Sequence, residues 1–260
     1  MISTLPSLAF PWMTKFAQTA KEAREAGLAM VVAGPPQSGK THLLKIERKS
    51  MYATDQETFF LRLQRETDAL RLFQVLLLNT GDSVMPRDWR LHSLSCVASL
   101  FARRLRFANK GLVILTNCQG ADREFFNVLF DVMAQLREWR HPCGLILAGS
   151  GDITDLQDLT GDRAASVRQY VAVPALSHGD IAACFKAWCN EEGADLAQRA
   201  KSEPDAIEVI DLVAKSTLGN INRVGQFADL KNRKFPDMAF TPQLVRQVYA
   251  EMRVGGDPKK

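Results

Sequence analysis

A short apolar run that ends in a glycine-rich loop constrains this chain more than any other sequence feature. The run Leu28–Ala33 is followed by Gly34-Pro-Pro-Gln-Ser-Gly39-Lys40-Thr41, which matches the pattern G-x-x-x-x-G-K-[ST] in full. A helix-like segment over 41–49 follows the loop. A glycine turn between any strand and helix is the alternative, but the full pattern in this context favours a phosphate loop at a helix N-terminus.

The loop residues predict how phosphate would be bound. Pro35 and Pro36 carry no N–H group, so the donors must follow them in the chain. Lys40 is expected to reach the β- and γ-phosphates, and Thr41 to ligate Mg²⁺, so ATP and Mg²⁺ are the expected cofactors. The full set of predicted nucleotide-binding residues in the loop is Gly34, Gln37, Ser38, Gly39, Lys40, Thr41 and His42.

A second strand candidate lacks the carboxylates that nucleotide hydrolysis usually needs. The run Gly111–Leu115 ends in Thr116-Asn117-Cys118-Gln119, where an Asp-Glu pair is expected. Thr116 can contact a Mg²⁺-bound water, and Asn117 can orient a water but cannot accept its proton. Asp122 and Glu124 follow closely and are possible substitutes. We consider weak or lost hydrolysis the better interpretation.

Composition fits one α/β core with a small accessory domain. The chain has 260 residues, 46% of them hydrophobic and 24% charged, with a net charge of +4. No stretch is long and apolar enough to cross a membrane, and the N-terminus lacks a signal-peptide pattern. Five cysteines without a Cys-x-x-Cys pair predict buried thiols and a cytoplasmic location.

Basic residues cluster, most clearly at Arg103, Arg104, Arg106 and Lys110. This permits binding to nucleic acid, although a solvated helix face is the favoured explanation of such a cluster.

The order of apolar runs and amphipathic segments predicts two regions. Strand-like runs alternate with helical segments up to Pro174, which is typical of a parallel sheet covered on both faces. After it the chain is helical over 178–192, 205–217, 219–233 and 242–252. We therefore predict an α/β nucleotide-binding core over 1–174, a helical lid over 175–254 and a flexible tail over 255–260.

Seven segments, taken in order, resemble the AAA+ ATPases that regulate DNA transposition, the TnsC/TniB/MuB type. They are the phosphate loop, Glu57–Leu63, Asp68–Asp82, Gly111–Gln119, Leu147–Ser150, Pro174–Ser177 and Thr217–Arg223. The resemblance implies a phosphate-loop NTPase core of AAA+ type with a parallel sheet, followed by a small helical lid. The chain departs from this pattern at Thr116-Asn117, which replaces the family's Asp-Glu.

The resemblance also implies roles for single residues. Ser150 would sense the γ-phosphate, and Arg223 would contact the nucleotide from the lid. Arg168, or less favourably Arg163, would reach a neighbouring subunit's nucleotide as an arginine finger. Asn117 and Arg168 are thus the candidate catalytic residues, and Thr41 and Thr116 the candidate metal-site residues. Arginines on an exposed surface are the simpler alternative for Arg223, Arg168 and Arg163.

The function implied is ATP-dependent assembly, as a ring or filament, on duplex DNA. DNA contacts would be sequence-independent, with Arg87, Arg90 and Arg123 as the candidate DNA-binding residues. The homo-oligomer would recruit or regulate a transposase or target-selection protein. Two alternatives stay open from the sequence: an active AAA+ loader or remodelling ATPase, and a nucleotide-binding module in a defence or signalling complex.

Overall fold

The apolar runs form a five-stranded parallel sheet in this computed structural model. The strands are β1 (Ala29–Ala33), β2 (Thr58–Arg62), β3 (Leu112–Thr116), β4 (Gly144–Ala148) and β5 (Val167–Ala172). Their order in the sheet is β2-β3-β4-β1-β5, and every pair is parallel. The structure describes residues 11–36, 38–53, 57–63, 68–80, 93–108, 111–151 and 166–254, without the side chains of residues 11, 12, 42, 46, 50–53, 168, 190 and 254.

Helices cover both faces of the sheet. Five of them precede or connect the strands: α1 (Pro11–Ala26), α2 (Lys40–Ala53), α3 (Ala69–Asn79), α4 (Leu94–Arg106) and α5 (Arg123–Glu138). Alternate strand residues point to opposite faces, so Val31, Val113 and Leu145 pack with α3, α4 and α5, while Met30, Ile114 and Ile146 pack with α1 and α2. The predicted α/β class with a parallel sheet is confirmed.

The chain divides into two compact units. The sheet unit contains the described residues of 11–36 and 40–173, and the helical unit contains Ser38, Gly39 and the described residues from Pro174 onward. The helical unit is built from α6 (His178–Trp188), α7 (Asn190–Arg199), α8 (Pro204–Thr217), α9 (Ile221–Lys234) and α10 (Pro242–Val254). No helix of the described residues is long and apolar enough to span a membrane.

The prediction of one helix over 178–192 is wrong. The backbone leaves the helical region at Cys189, with φ −121° and ψ 34°, and a new helix begins at Asn190. Gly193 permits the two helices to pack closely, because a Cβ atom there would lie 2.0 Å from the carbonyl oxygen of Phe185. The predicted last strand, 170–173, is also displaced, since β5 begins at Val167.

A buried lysine connects three parts of the helical unit. Lys231 on α9 is 1% exposed. Its ammonium group pairs with Glu192 of α7, donates to the carbonyl oxygen of Pro236 at 3.1 Å and lies 5.2 Å from the centre of the Phe240 ring. A buried charge is tolerated when it has an ion-pair partner and further hydrogen bonds. Burial lowers the pKa of Lys231, and this is the largest influence on that group.

The close approach at Gly193 gives a prediction about stability. Gly193→Ala should lower the free energy of unfolding by about 1–3 kcal/mol, because the new methyl group meets backbone atoms of α6 that cannot move independently. Gly179→Ala, in the first turn of α6, is the matched control, since a Cβ there has an ordinary 3.8 Å contact with Ser177 Oγ. Urea denaturation of the two variants would measure this, and equal stability would contradict the packing described.

Candidate functional site

The candidate site residues follow three strands of the sheet. They lie at the edge formed by the carboxyl ends of the strands. Val32 of β1 and Thr116 of β3 both pair with Ala148 of β4, so the carboxyl ends of these strands are aligned. β1 leads into the phosphate loop, β3 leads into Asn117 and β4 leads into Gly149. Ligands of open parallel α/β sheets bind outside the carboxyl ends of the strands, so this edge is the expected place for a site.

The phosphate loop leads from β1 into the first turn of α2, as the sequence predicts. Gly39 has φ +94°, a conformation that L side chains rarely adopt, so glycine is required at this position. Lys40 is the first residue of α2 and is 8% exposed. Its ammonium group donates to the carbonyl oxygens of Gly34, at 2.8 Å, and Pro35, at 2.7 Å.

The carbonyl oxygen of Gly34 also joins the phosphate loop to the loop after β4. It accepts a hydrogen bond from the backbone N–H of Gly151 at 3.3 Å. Gly149 N–H in turn donates to the carbonyl oxygen of Val32 at 3.0 Å. Ser150 lies between these two glycines, which places it next to the start of the phosphate loop.

Burial lowers the pKa of Lys40 to about 8. The cause is loss of solvent around the ammonium group, which disfavours its charged form. Phosphate oxygens brought next to this group would favour the charged form again. Binding of a polyphosphate at this loop would therefore raise the pKa of Lys40.

Asn117 is held in an unusual backbone conformation by its own side chain. Its φ of 65° and ψ of 37° lie in the left-handed region, which asparagine tolerates better than most residues. Its amide nitrogen donates to the carbonyl oxygen of Leu63, just after β2, at 2.9 Å. Its amide oxygen accepts from Gln119 Nε2 at 2.8 Å. Both polar atoms of the side chain are thus engaged within the protein.

Gln119 connects the Asn117 side chain to the loop that follows β4. Its amide oxygen accepts the backbone N–H of Ser150 at 3.0 Å. The two amide side chains therefore form a bridge, Leu63–Asn117–Gln119–Ser150, across the carboxyl ends of β2, β3 and β4. Sequence reasoning did not assign a role to Gln119. The available signal was a second amide two residues after Asn117 in a loop that follows a buried strand.

The carboxylates considered as substitutes occupy other positions. Asp122 is the N-cap of α5, where its side chain accepts the backbone N–H of Glu124 at 3.0 Å. Glu124 is exposed in the first turn of that helix. Thr116 is 9% exposed at the end of β3. Within the described ranges, no group of three or more His, Cys, Asp or Glu residues could hold a metal ion.

Two predicted arginines lie at helix starts. Arg123 is exposed in the first turn of α5, and Arg223 is half-buried in the first turn of α9, where its backbone N–H donates to the N-cap Asn220 at 3.2 Å. Of the predicted phosphate-loop residues, Ser38 is buried and Thr41 is exposed. Arg168 lies on β5, but its side chain, like that of His42, is not described. Gln37, Arg87, Arg90 and Arg163 lie outside the described residues.

The cysteines take no part in this site. All five thiols are free, and four of them are buried. Burial raises the pKa of the Cys118 and Cys143 thiols to about 12, so both stay protonated and unreactive at neutral pH.

Solved structures share this fold at low sequence identity. The ORC2 protein of Aeropyrum pernix, solved in ADPNP–ADP complexes, has a TM-score of 0.63 and 12% identity over 95% of this chain and 69% of its own. The ORC1 protein of the same organism, in complex with DNA, has a TM-score of 0.56 and 12% identity over 95% of this chain and 66% of its own. The RuvB Holliday junction branch migration motor of Thermotoga maritima has a TM-score of 0.55 and 11% identity over 94% and 70%.

These neighbours establish the fold class. The chain has the fold of the AAA+ ATPases, with a parallel α/β phosphate-loop core and a helical part. No protein-family model and no curated protein matches the sequence. The transposition-regulator type stays a prediction from the sequence.

The amide bridge gives a prediction about stability. Gln119→Ala removes two hydrogen bonds and leaves Asn117 Oδ1 without that donor, so the free energy of unfolding should fall by about 1–3 kcal/mol. Gln247→Ala is the control, since Gln247 is an exposed glutamine on α10. Thermal denaturation would compare them, and a Gln119→Ala variant as stable as wild type would mean that the bridge contributes nothing.

The lowered pKa of Lys40 gives a prediction about proton uptake. Between pH 8 and 9 the free protein holds Lys40 increasingly uncharged, so binding of an ATP analogue should take up a growing fraction of one proton. Its affinity should accordingly decline as the pH rises above about 8. Calorimetry in two buffers of different ionisation enthalpy measures the uptake.

Lys45 on the same helix is exposed and provides the control for that experiment. Lys45→Ala should retain the proton uptake, whereas Lys40→Met should abolish it. Proton release by the wild-type protein would contradict the assignment of the low pKa to Lys40.

Proposed function

We propose that this protein binds ATP with Mg²⁺ and uses the bound nucleotide to assemble on duplex DNA, with hydrolysis that is weak or absent. The observation that carries the proposal is the contrast between two strand ends. β1 leads into a complete phosphate loop, whereas β3 leads into an asparagine whose side chain is engaged within the protein. In the described part of the site, the phosphate loop is suited to binding a nucleotide, and Asn117 stands where the base for cleavage is usually found.

The nucleotide would replace internal contacts of the phosphate loop. Lys40 donates to two loop carbonyl oxygens, and we propose that the β- and γ-phosphates take over this ammonium group. Backbone N–H groups at the start of α2 and the helix dipole would support the same anion. Thr41 would ligate Mg²⁺, with Thr116 contacting a Mg²⁺-bound water, because the hydroxyl oxygens of both are suited to a hard cation.

We infer weak hydrolysis from the chemistry of the residues at the end of β3. Cleavage of the γ-phosphate requires a group that orients water and accepts its proton. An amide cannot accept that proton, and both polar atoms of Asn117 already have partners. Ser150 would be the group that responds to the γ-phosphate, since Gly151 beside it contacts the phosphate loop.

DNA is the proposed partner of the assembled form. Arg123 lies exposed at the start of α5, on the same edge of the sheet as the phosphate loop, and Arg87 and Arg90 are the further candidates. Arginine contacts to phosphates are independent of sequence and sensitive to salt. Two of the solved neighbours support a role at DNA, the ORC1 protein in complex with DNA and the RuvB branch migration motor.

Assembly through a shared nucleotide is the proposed regulatory step. Arg168 lies on β5, an edge strand of the sheet, and we propose it as the finger that reaches a neighbouring subunit's nucleotide, with Arg163 as the substitute. Arg223 would contact the nucleotide of its own subunit. The resemblance to the TnsC/TniB/MuB type makes a transposase or target-selection protein the proposed partner of the filament or ring.

Sedimentation with a non-hydrolysable ATP analogue, with and without duplex DNA, tests the proposal. Large assemblies should form only when both are present. Lys40→Ala should weaken nucleotide binding about 10- to 100-fold and prevent assembly, because it removes a charge-assisted contact of roughly 1.5–3 kcal/mol. Arg168→Ala should prevent assembly but preserve nucleotide binding, and Arg123→Glu should weaken DNA binding alone.

The experiment has a matched control for Lys40→Ala and two outcomes that would favour the alternatives. Lys45→Ala should behave as wild type, since Lys45 is exposed on α2 away from the loop. A chain that binds nucleotide but stays monomeric with DNA would favour the signalling-module alternative. Rapid turnover that drives repeated assembly and disassembly would favour the loader or remodelling alternative.

A further inference from the structure

The opposite edge of the sheet, formed by the amino ends of the strands, carries exposed arginines and an exposed aromatic ring. α4 ends just before β3, and α5 ends just before β4, so both helix ends lie at the amino ends of the strands. This edge is separated from the phosphate-loop edge by the length of a five-residue strand, roughly 16 Å. We call the cluster the amino-edge surface: Arg103, Arg106, Phe107, Trp139, Arg140 and His141.

One contact joins the two helix ends into a continuous surface. The Arg106 guanidinium lies 5.5 Å from the centre of the Trp139 ring, within the range of a cation–π interaction. Arg103 lies one turn before Arg106 and Phe107 and shares their side of α4. Arg140 and His141 follow Trp139 directly and are exposed. Packing of Ala108 and Cys143 around Gly111 confirms that the two segments adjoin.

Phe107 is the most exposed large hydrophobic residue of the described chain. Its relative exposure is 78%, although it follows a helix whose other apolar side chains are largely buried. It forms the C-cap of α4 through its backbone, which requires no aromatic side chain. Helix capping therefore gives no reason for a phenylalanine at this position, and a ring this exposed contributes little stability through burial.

The charge of the surface is strongly positive. Arg103, Arg106 and Arg140 are exposed, and Glu138 is the exposed carboxylate nearest them in the chain. No carboxylate among the described residues forms an ion pair with these three arginines. The neighbouring Arg104 differs, since it pairs with Glu57 at 3.5 Å and donates to the carbonyl oxygen of Thr80.

We infer that the amino-edge surface binds single-stranded nucleic acid independently of ATP. Arginine forks match phosphate geometry, and an open aromatic ring stacks on a base whose faces are exposed, as in a single strand. A duplex offers phosphates but buries its base faces, so the ring selects the single strand. The surface lies on the opposite edge of the sheet from the proposed duplex contact at Arg123, so the two sites are separate.

Fluorescence anisotropy with a labelled oligothymidine and a duplex of equal length, both without nucleotide, tests the inference. Measurements in an Arg123→Glu background separate this binding from the proposed duplex contact. The protein should bind the single strand more tightly, and Phe107→Ala should weaken that binding roughly 5- to 150-fold with little effect on the duplex. Arg103→Glu with Arg106→Glu should weaken both and reduce the salt dependence, by about 0.7 in log–log slope for each phosphate that the protein no longer neutralises.

Ile207→Ala and Arg246→Glu are the matched controls, since both residues are exposed and belong to the helical unit. Both should bind as wild type, and melting temperatures should show that all variants are folded. Unchanged affinity of Phe107→Ala for the single strand would overturn the inference. Equal competition by polyglutamate would also overturn it, because the surface would then recognise acidic chains in general.

Discussion

The alignment of the carboxyl ends of β1, β3 and β4 is the constraint on which the candidate site depends. Parallel pairing with Ala148 as the common partner fixes three loops at one edge. Hydrogen bonds then join the loops in sequence: Lys40 and Gly151 meet at the carbonyl oxygen of Gly34, and Ser150 continues to Gln119. Direct contacts therefore connect the three strand ends.

The residues that follow β3 decide whether a site of this kind can cleave a nucleotide as well as bind it. A carboxylate after β3 would hold Mg²⁺ and accept a proton from water, but it would also repel phosphate when metal is absent. The amides of Asn117 and Gln119 carry no charge and instead stabilise the loop geometry. This exchange supports our proposal that the protein retains its nucleotide as a structural ligand in an assembly on DNA.

Local patterns predicted much of the fold but not the contacts that complete it. The phosphate loop and the buried strands were recognisable because their signals are contiguous in sequence. The break between α6 and α7 was missed because it depends on a tertiary contact, the approach of Gly193 to Phe185. Gln119 was missed for the same reason, since its partners Asn117 and Ser150 lie on different loops. Lys231 is close to Arg233 and Lys234 in sequence, a basic run typical of an exposed helix face, yet Lys231 is buried and pairs with Glu192.

Single-turnover hydrolysis, with protein in excess over radiolabelled ATP and Mg²⁺, tests the central claim most directly. The account predicts that Lys40-dependent binding retains intact ATP, with cleavage far slower than about 1 s⁻¹, the low end for typical enzymes. Thr116→Asp combined with Asn117→Glu should accelerate cleavage if the rest of the site is complete. Wild-type cleavage at about 1 s⁻¹ or faster, abolished by Lys40→Ala, would contradict the claim that this site binds nucleotide without an effective base.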